Sequence, residues 1–150
     1  LNGSHTAAVH VHHLELSDAH LVAGPKPDLM GHSRTGGTGG VHTSALALGL
    51  AEAAVSFLGQ QAEKRPEIVP TYRALSSETC ALKCELVDFV AGDDRQNKSV
   101  LRHRANQLVL KATQCALSAA KGSGFLAHRD PGRWCREALF FLVWSVPERN

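Results

Sequence analysis

The sequence predicts an all-α fold, an antiparallel up-down four-helix bundle that follows a short N-terminal β segment. Hydrophobic residues make up 43% of the 150 but aromatics only 5%, so alanine, leucine and valine supply the apolar surface. Small and aliphatic side chains in that excess favour helix packed closely on helix over a β-sandwich. From about residue 41 onward, apolar residues recur at spacings of three and four, the signature of one helical face. Proline and glycine interrupt that pattern at Pro66, Gly92 and Gly122, where helices must end.

The first forty residues differ in kind. Between Thr6 and Leu16, Val9, Val11 and His13 alternate with His10 and His12, a period of two that reads as a strand or hairpin arm. Prolines and glycines from Gly24 to Gly40 then make a linker. Residues 1–40 are therefore a β segment plus linker, and residues 41–150 the bundle.

The first helix runs from about Val41 to Lys64, its face crowded with Ala45, Leu46, Leu48, Gly49, Ala53 and Ala54. Pro66 disfavours helical geometry at Arg65 and ends it. Pro70 suits the first turn of the second helix, whose stripe is Tyr72, Leu75, Thr79, Leu82, Leu86 and Phe89. Gly92 stops it, and a short polar turn returns the chain antiparallel. The third helix presents Leu101, Ala105, Leu108, Ala112, Cys115 and Ala119, and finishes at Lys121-Gly122. The fourth carries Trp134, Ala138, Phe141 and Trp144 towards Pro147. Its run from Leu139 to Trp144 is apolar all round, which requires burial on more than one side and predicts a partner surface.

A net charge of +2 is too weak to argue for nucleic acid or an anionic membrane, and no apolar run is expected to span a bilayer. Leu1-Asn2-Gly3-Ser4 has neither initiator Met nor leader and reads as the middle of a longer chain. Cys80, Cys84, Cys115 and Cys135 form no C-x-x-C pair and are expected as free, buried thiols of a reducing, cytoplasmic compartment. Cys80 and Cys84 share a helical face, expected to pack in the core. His5, His10, His12 and His13, with Glu15, are dense enough to suggest a metal site, but a solvent-facing strand accounts for them better.

Two stretches then match a known pattern. Gly122-Ser123-Gly124-Phe125 followed by Pro131-Gly132-Arg133-Trp134-Cys135-Arg136-Glu137-Ala138 resembles the acyl-CoA dehydrogenase family. There a Gly-Gly-x-Gly-Tyr turn precedes Tyr-Pro-x-x-Arg-x-x-Arg-Asp-Ala; the match needs one inserted residue before Pro131. Gly36-Gly37-Thr38-Gly39-Gly40, entering an alanine-rich helix, resembles the family's junction between its middle β-domain and its C-terminal bundle. The resemblance implies a longer parent that binds FAD, forms homo-oligomers through this bundle, and removes an α-proton and a β-hydride from an acyl-CoA thioester.

It also nominates residues. Arg65 stands where the family's Arg-x-x-Phe-Gly arginine reaches the FAD pyrophosphate of a neighbouring subunit, although Ile68 and Val69 replace the Phe and Gly. A solvated arginine at a helix end is the competing reading. Gly122 and Gly124 could let backbone N–H groups approach a phosphate, or simply serve a helix cap. Lys121 replaces one of the family's glycines and offers a positive charge to an anion. The slot of the family's catalytic glutamate holds Val146, with Glu148 displaced by two residues, and Glu137 is expected to pair with Arg133. No catalytic residue is therefore assigned. A flavin-dependent monooxygenase of the same fold would not need that glutamate, and a non-catalytic interaction module is the third reading.

Overall fold

Among the described residues, three long helices and a short fourth build the bundle. The computed structural model describes residues 7–21, 41–92 and 97–144. Helix α1 spans Val41–Ala62, α2 Val69–Ala91, α3 Lys98–Ala120, α4 Asp130–Ala138, and a single turn, α5, Phe140–Val143. Pro66–Ile68 and Lys121–Phe125 are 3-10 turns that join α1 to α2 and α3 to α4.

The ends form as their residues dictate. The Asn97 side chain accepts from the Ser99 N–H at 2.8 Å and caps α3. Gly92, at φ +105°, closes α2 in the left-handed conformation, its N–H returning to the Asp88 and Phe89 carbonyls. Arg65, in extended geometry before Pro66, separates α1 from α2.

Side-chain contacts fix the register. Arg104 pairs with Glu85, and Lys111 with Glu78 at 3.9 Å; seven residues forward on α3 is seven back on α2, so the two run antiparallel. Cys135 Sγ donates to the Thr113 carbonyl at 3.2 Å, Asn106 Nδ2 to Phe141 O at 2.8 Å and Arg102 Nη2 to Trp144 O at 2.7 Å. The chain after Asp130 thus descends along α3 in the opposite sense. Arg65, beyond the end of α1, reaches Ala119 near the end of α3, so α1 and α3 are parallel with their ends level.

The core follows the sequence pattern in α2 and α3 but not in α1, where Ala45, Leu46 and Gly49 of the expected face are exposed and Ala47, Ala51, Val55 and Leu58 face inward instead. Leu75, Thr79, Leu82 and Leu86 of α2, and Leu101, Ala105, Leu108 and Ala112 of α3, are buried as expected. Ala47, Ala51 and Ala54 of α1 and Ala112 and Ala116 of α3 are wholly inaccessible, so the longest interface, α1 on α3, is lined by methyl groups. The buried hydroxyls of Thr79 and Thr113 donate back to the Leu75 and Val109 carbonyls, 2.7 and 2.8 Å away, so neither is left without a partner.

Four further expectations need correction. Residues 7–16 form no strand and are exposed: a strand needs a neighbour to pair with, and His13, at φ +47°, breaks the extended run. The fourth helix does not continue to Pro147. It breaks at Leu139, where Asn106 and Arg102 bind the following carbonyls and bend the tail onto α3. Of the apolar run after it only Phe141 is buried, whereas Leu139, Leu142, Val143 and Trp144 remain exposed. All four cysteines are free, yet Cys80 and Cys84 lie on the outer surface of α2, and Cys115 and Cys135 are half-buried. Finally, α1 is long and apolar enough to cross a membrane by length and composition, contrary to the sequence reading; half of that stretch lies inside the bundle.

Candidate functional site: a cationic cleft at one end of the bundle

Where the ends of α1 and α3 come level, the 3-10 turn Lys121–Phe125 and the start of α4 enclose a cleft of about 300 Å³. Three cations line it, Arg65, Lys121 and Arg129, with Gln61 and Ser123 as neutral polar partners and no acidic residue among the described lining. Phe57 forms part of the wall, held edge-on to Trp134 at 6.1 Å between centroids.

Arg65 is the fixed element of the site. It is half-buried, and its Nη2 donates to Gln61 Oε1 at 2.8 Å and to the Ala119 carbonyl at 2.6 Å. Both partners are neutral, so the guanidinium keeps its full charge and part of its donor fork. Among the described residues no carboxylate forms an ion pair with Arg65, Lys121 or Arg129. Cations gathered without counter-ions favour an anion, and a planar guanidinium matches phosphate oxygens in a bidentate manner.

Lys121 ends α3 at φ +54° and ψ −149°, a left-handed conformation that a side chain resists and glycine adopts freely. The backbone here takes a glycine's shape while carrying an ammonium group. Gly124 is buried, and a Cβ there would lie 2.7 Å from Leu117 Cδ1 and 2.9 Å from Ala120 Cβ. At Gly132, α4 lies directly against the Gly124 carbonyl, so a Cβ at Gly132 would push α4 off the turn, whereas one at Gly124 would push the turn off α3. These glycines hold the floor of the cleft in place.

Of the four residues nominated from sequence, Arg65, Lys121 and Gly124 converge on this cleft, whereas Gly122 is exposed and outside its lining. Sequence reasoning missed Arg129, Gln61 and Ser123. Arg129 arrives through the inserted stretch before Pro131, whose path depends on the turns Leu126 N to Ser123 O and Arg129 N to Leu126 O. The one available signal was a cation inside an insertion adjoining a glycine-rich turn. Glu137 and Asp130 both accept from Arg133, each at 2.8 Å, as expected for the first of them. Val146 and Glu148 lie outside the described residues, as does His5. His10, His12 and His13 are exposed, and no cluster of three or more metal-binding side chains occurs among the described residues.

No protein-family model, curated protein or solved structure matches this chain.

Proposed function

We propose that this chain is the C-terminal portion of an acyl-CoA dehydrogenase-like FAD oxidoreductase, where the bundle completes the flavin site and joins subunits. The observation that carries this is convergence. Arg65 and the Lys121–Gly124 turn were nominated from motifs more than fifty residues apart, and they line one acid-free cleft with Arg129.

Arg65 would grip the cofactor's pyrophosphate, with Lys121 and Arg129 adding charge from the opposite wall. The flavin would supply the chemistry, accepting a hydride from the β-carbon of an acyl thioester. The exposed segment 7–16 would be the last strand of the parent's β-domain, ordered only beside its neighbours there. Because Val146 stands in the usual base slot, this portion contributes binding and assembly while the proton acceptor lies elsewhere. That same valine favours a second reading, a flavin-dependent monooxygenase of the same fold, which activates oxygen and needs no glutamate there.

The first test uses inorganic pyrophosphate and ADP, titrated calorimetrically into the chain at low salt. Binding that weakens at least tenfold in Arg65→Ala, and steeply with added salt, supports the reading. No binding of either anion would remove its basis. In the parent protein, a bound flavin reduced anaerobically by an acyl-CoA identifies a dehydrogenase, and oxygen uptake driven by reduced flavin or NAD(P)H identifies the monooxygenase. A flavin-free parent would leave the interaction module standing.

A further inference from the structure

The outer face of α2 is built unlike a solvated helix. At 3.6 residues per turn, Ser77, Cys80, Cys84, Val87 and Ala91 form a stripe on the side opposite Leu75, Thr79, Leu82 and Leu86, and all five are exposed. The outer face of α3 provides the contrast within the same molecule: His103, Gln107, Lys111, Gln114 and Ser118, polar throughout. A helix facing only water has no reason to carry small and apolar residues at spacings of three and four.

We propose that this face docks on a second copy of the chain, α2 against α2 antiparallel, about a two-fold axis between Cys80 and Ala81. The charge pattern selects that occupant. Arg73 and Asp88, both exposed, lie equally far from this midpoint, so an antiparallel copy sets each Arg73 opposite the partner's Asp88. The same operation places Ser77 opposite the partner's Cys84 and Cys80 opposite the partner's Ala81, so small residues meet small residues across the seam. A two-fold contact must be self-complementary in this way, and a random partner would not require it. The face continues onto α1 beside the Lys83–Glu52 bridge, where Gly49 opens onto empty space. Two helices about 33 Å long, each offering a strip about 10 Å wide, bury roughly 700 Å² in total, the size of a weak, reversible contact rather than an obligate one. This specifies the subunit contact of the reading above and stands without any flavin.

The native thiols report on the geometry. At an interaxial distance of about 9–10 Å, facing Cα atoms are roughly 5 Å apart, within disulfide reach. Only Cys80 lies close enough to the axis to meet its own copy; two Cys84 residues would be about 10 Å apart along the helix direction. Diamide, which takes up the two electrons and two protons released by a thiol pair, should therefore yield a covalent dimer. The dimer should persist in Cys84→Ser and disappear in Cys80→Ser. Sedimentation from about 1 to 200 μM should show a reversible dimer whose dissociation constant rises about tenfold or more in Arg73→Glu and recovers in Arg73→Glu with Asp88→Arg. A monomer throughout that range would assign the face to a different chain and overturn the proposal. So would a dimer indifferent to the charge swap, or one crosslinked through Cys84. Pyrophosphate binding in Arg73→Glu separates the two readings, since the cleft lies apart from this face and should be unaffected.

Discussion

At φ +54° and ψ −149°, Lys121 holds backbone space that costs a side-chain-bearing residue about 1–3 kcal/mol. Nothing in the packing demands lysine there, because its side chain is exposed and lines the cationic cleft. Strain on one side and charge on the other predict opposite responses. Lys121→Gly should raise the free energy of unfolding by about 1 kcal/mol in urea titrations while weakening pyrophosphate binding. A variant that loses stability would show that the ammonium group contributes to the fold. The thiols give a second residue-scale contrast. Cys135 is half-buried against the Thr113 carbonyl, and burial pushes its pKa up despite that hydrogen bond and the nearby Arg136. At a given pH it is then less ionised than an ordinary thiol, so alkylation at pH 8 should label exposed Cys80 and Cys84 well before Cys135. The linkage has a definite sign. The native state holds this proton more tightly than the unfolded chain does, so stability is complete below the ordinary thiol pKa of about 8.5 and declines as pH rises beyond it.

Among the elements, α2 and α3 were legible because each satisfies one local rule along its whole length. Leu75 to Leu86 and Leu101 to Ala112 recur on one face, and Gly92 supplies the stop between them. The fourth element was not legible, since its break depends on residues distant in sequence. Asn106 and Arg102 bind the carbonyls of Phe141 and Trp144, and no pattern within residues 130–144 announces that. Arg102 was equally hidden. A side chain only 1% exposed is unusual for arginine, and this one is tolerated with its guanidinium 5.9 Å from the Phe141 ring centroid, burial lowering its pKa. The contact between α4 and the preceding turn is tighter still. A methyl group at Gly132 would overlap the Gly124 carbonyl, which is backbone and cannot swing aside. Gly132→Ala should therefore destabilise the fold by about 2 kcal/mol or more, although alanine is the better helix former. Gly122→Ala, where an added Cβ meets nothing, should change stability much less in the same thermal melts.

For the whole molecule, the distribution of burial predicts where it opens first. Helices α1 and α3 meet across alanines with no accessible surface, and each is flanked by α2 on one side and α4 on the other. Their central amides are covered by neighbouring helices and cannot exchange without separating that interface. The tail after Ala138 is the reverse case. One turn of helix, a single buried ring and two side-chain tethers hold it, while Leu139, Val143 and Trp144 face outward. The cleft lies between these regimes, with Arg65 fixed to α3 and its far wall built from the Lys121–Phe125 turn. Hydrogen exchange should accordingly show three classes. Amides near Ala51, Val109 and Ala112 should exchange only with global unfolding and follow the denaturant-measured stability. Those of residues 140–144 should exchange orders of magnitude faster, through local opening. The turn at 121–125 should be intermediate, and an anion bound between Arg65 and Lys121 should slow it selectively, because it would tie the mobile wall to the fixed one. Equal protection at 121–125 with and without pyrophosphate would separate the anion from this cleft, even if binding were detected by calorimetry.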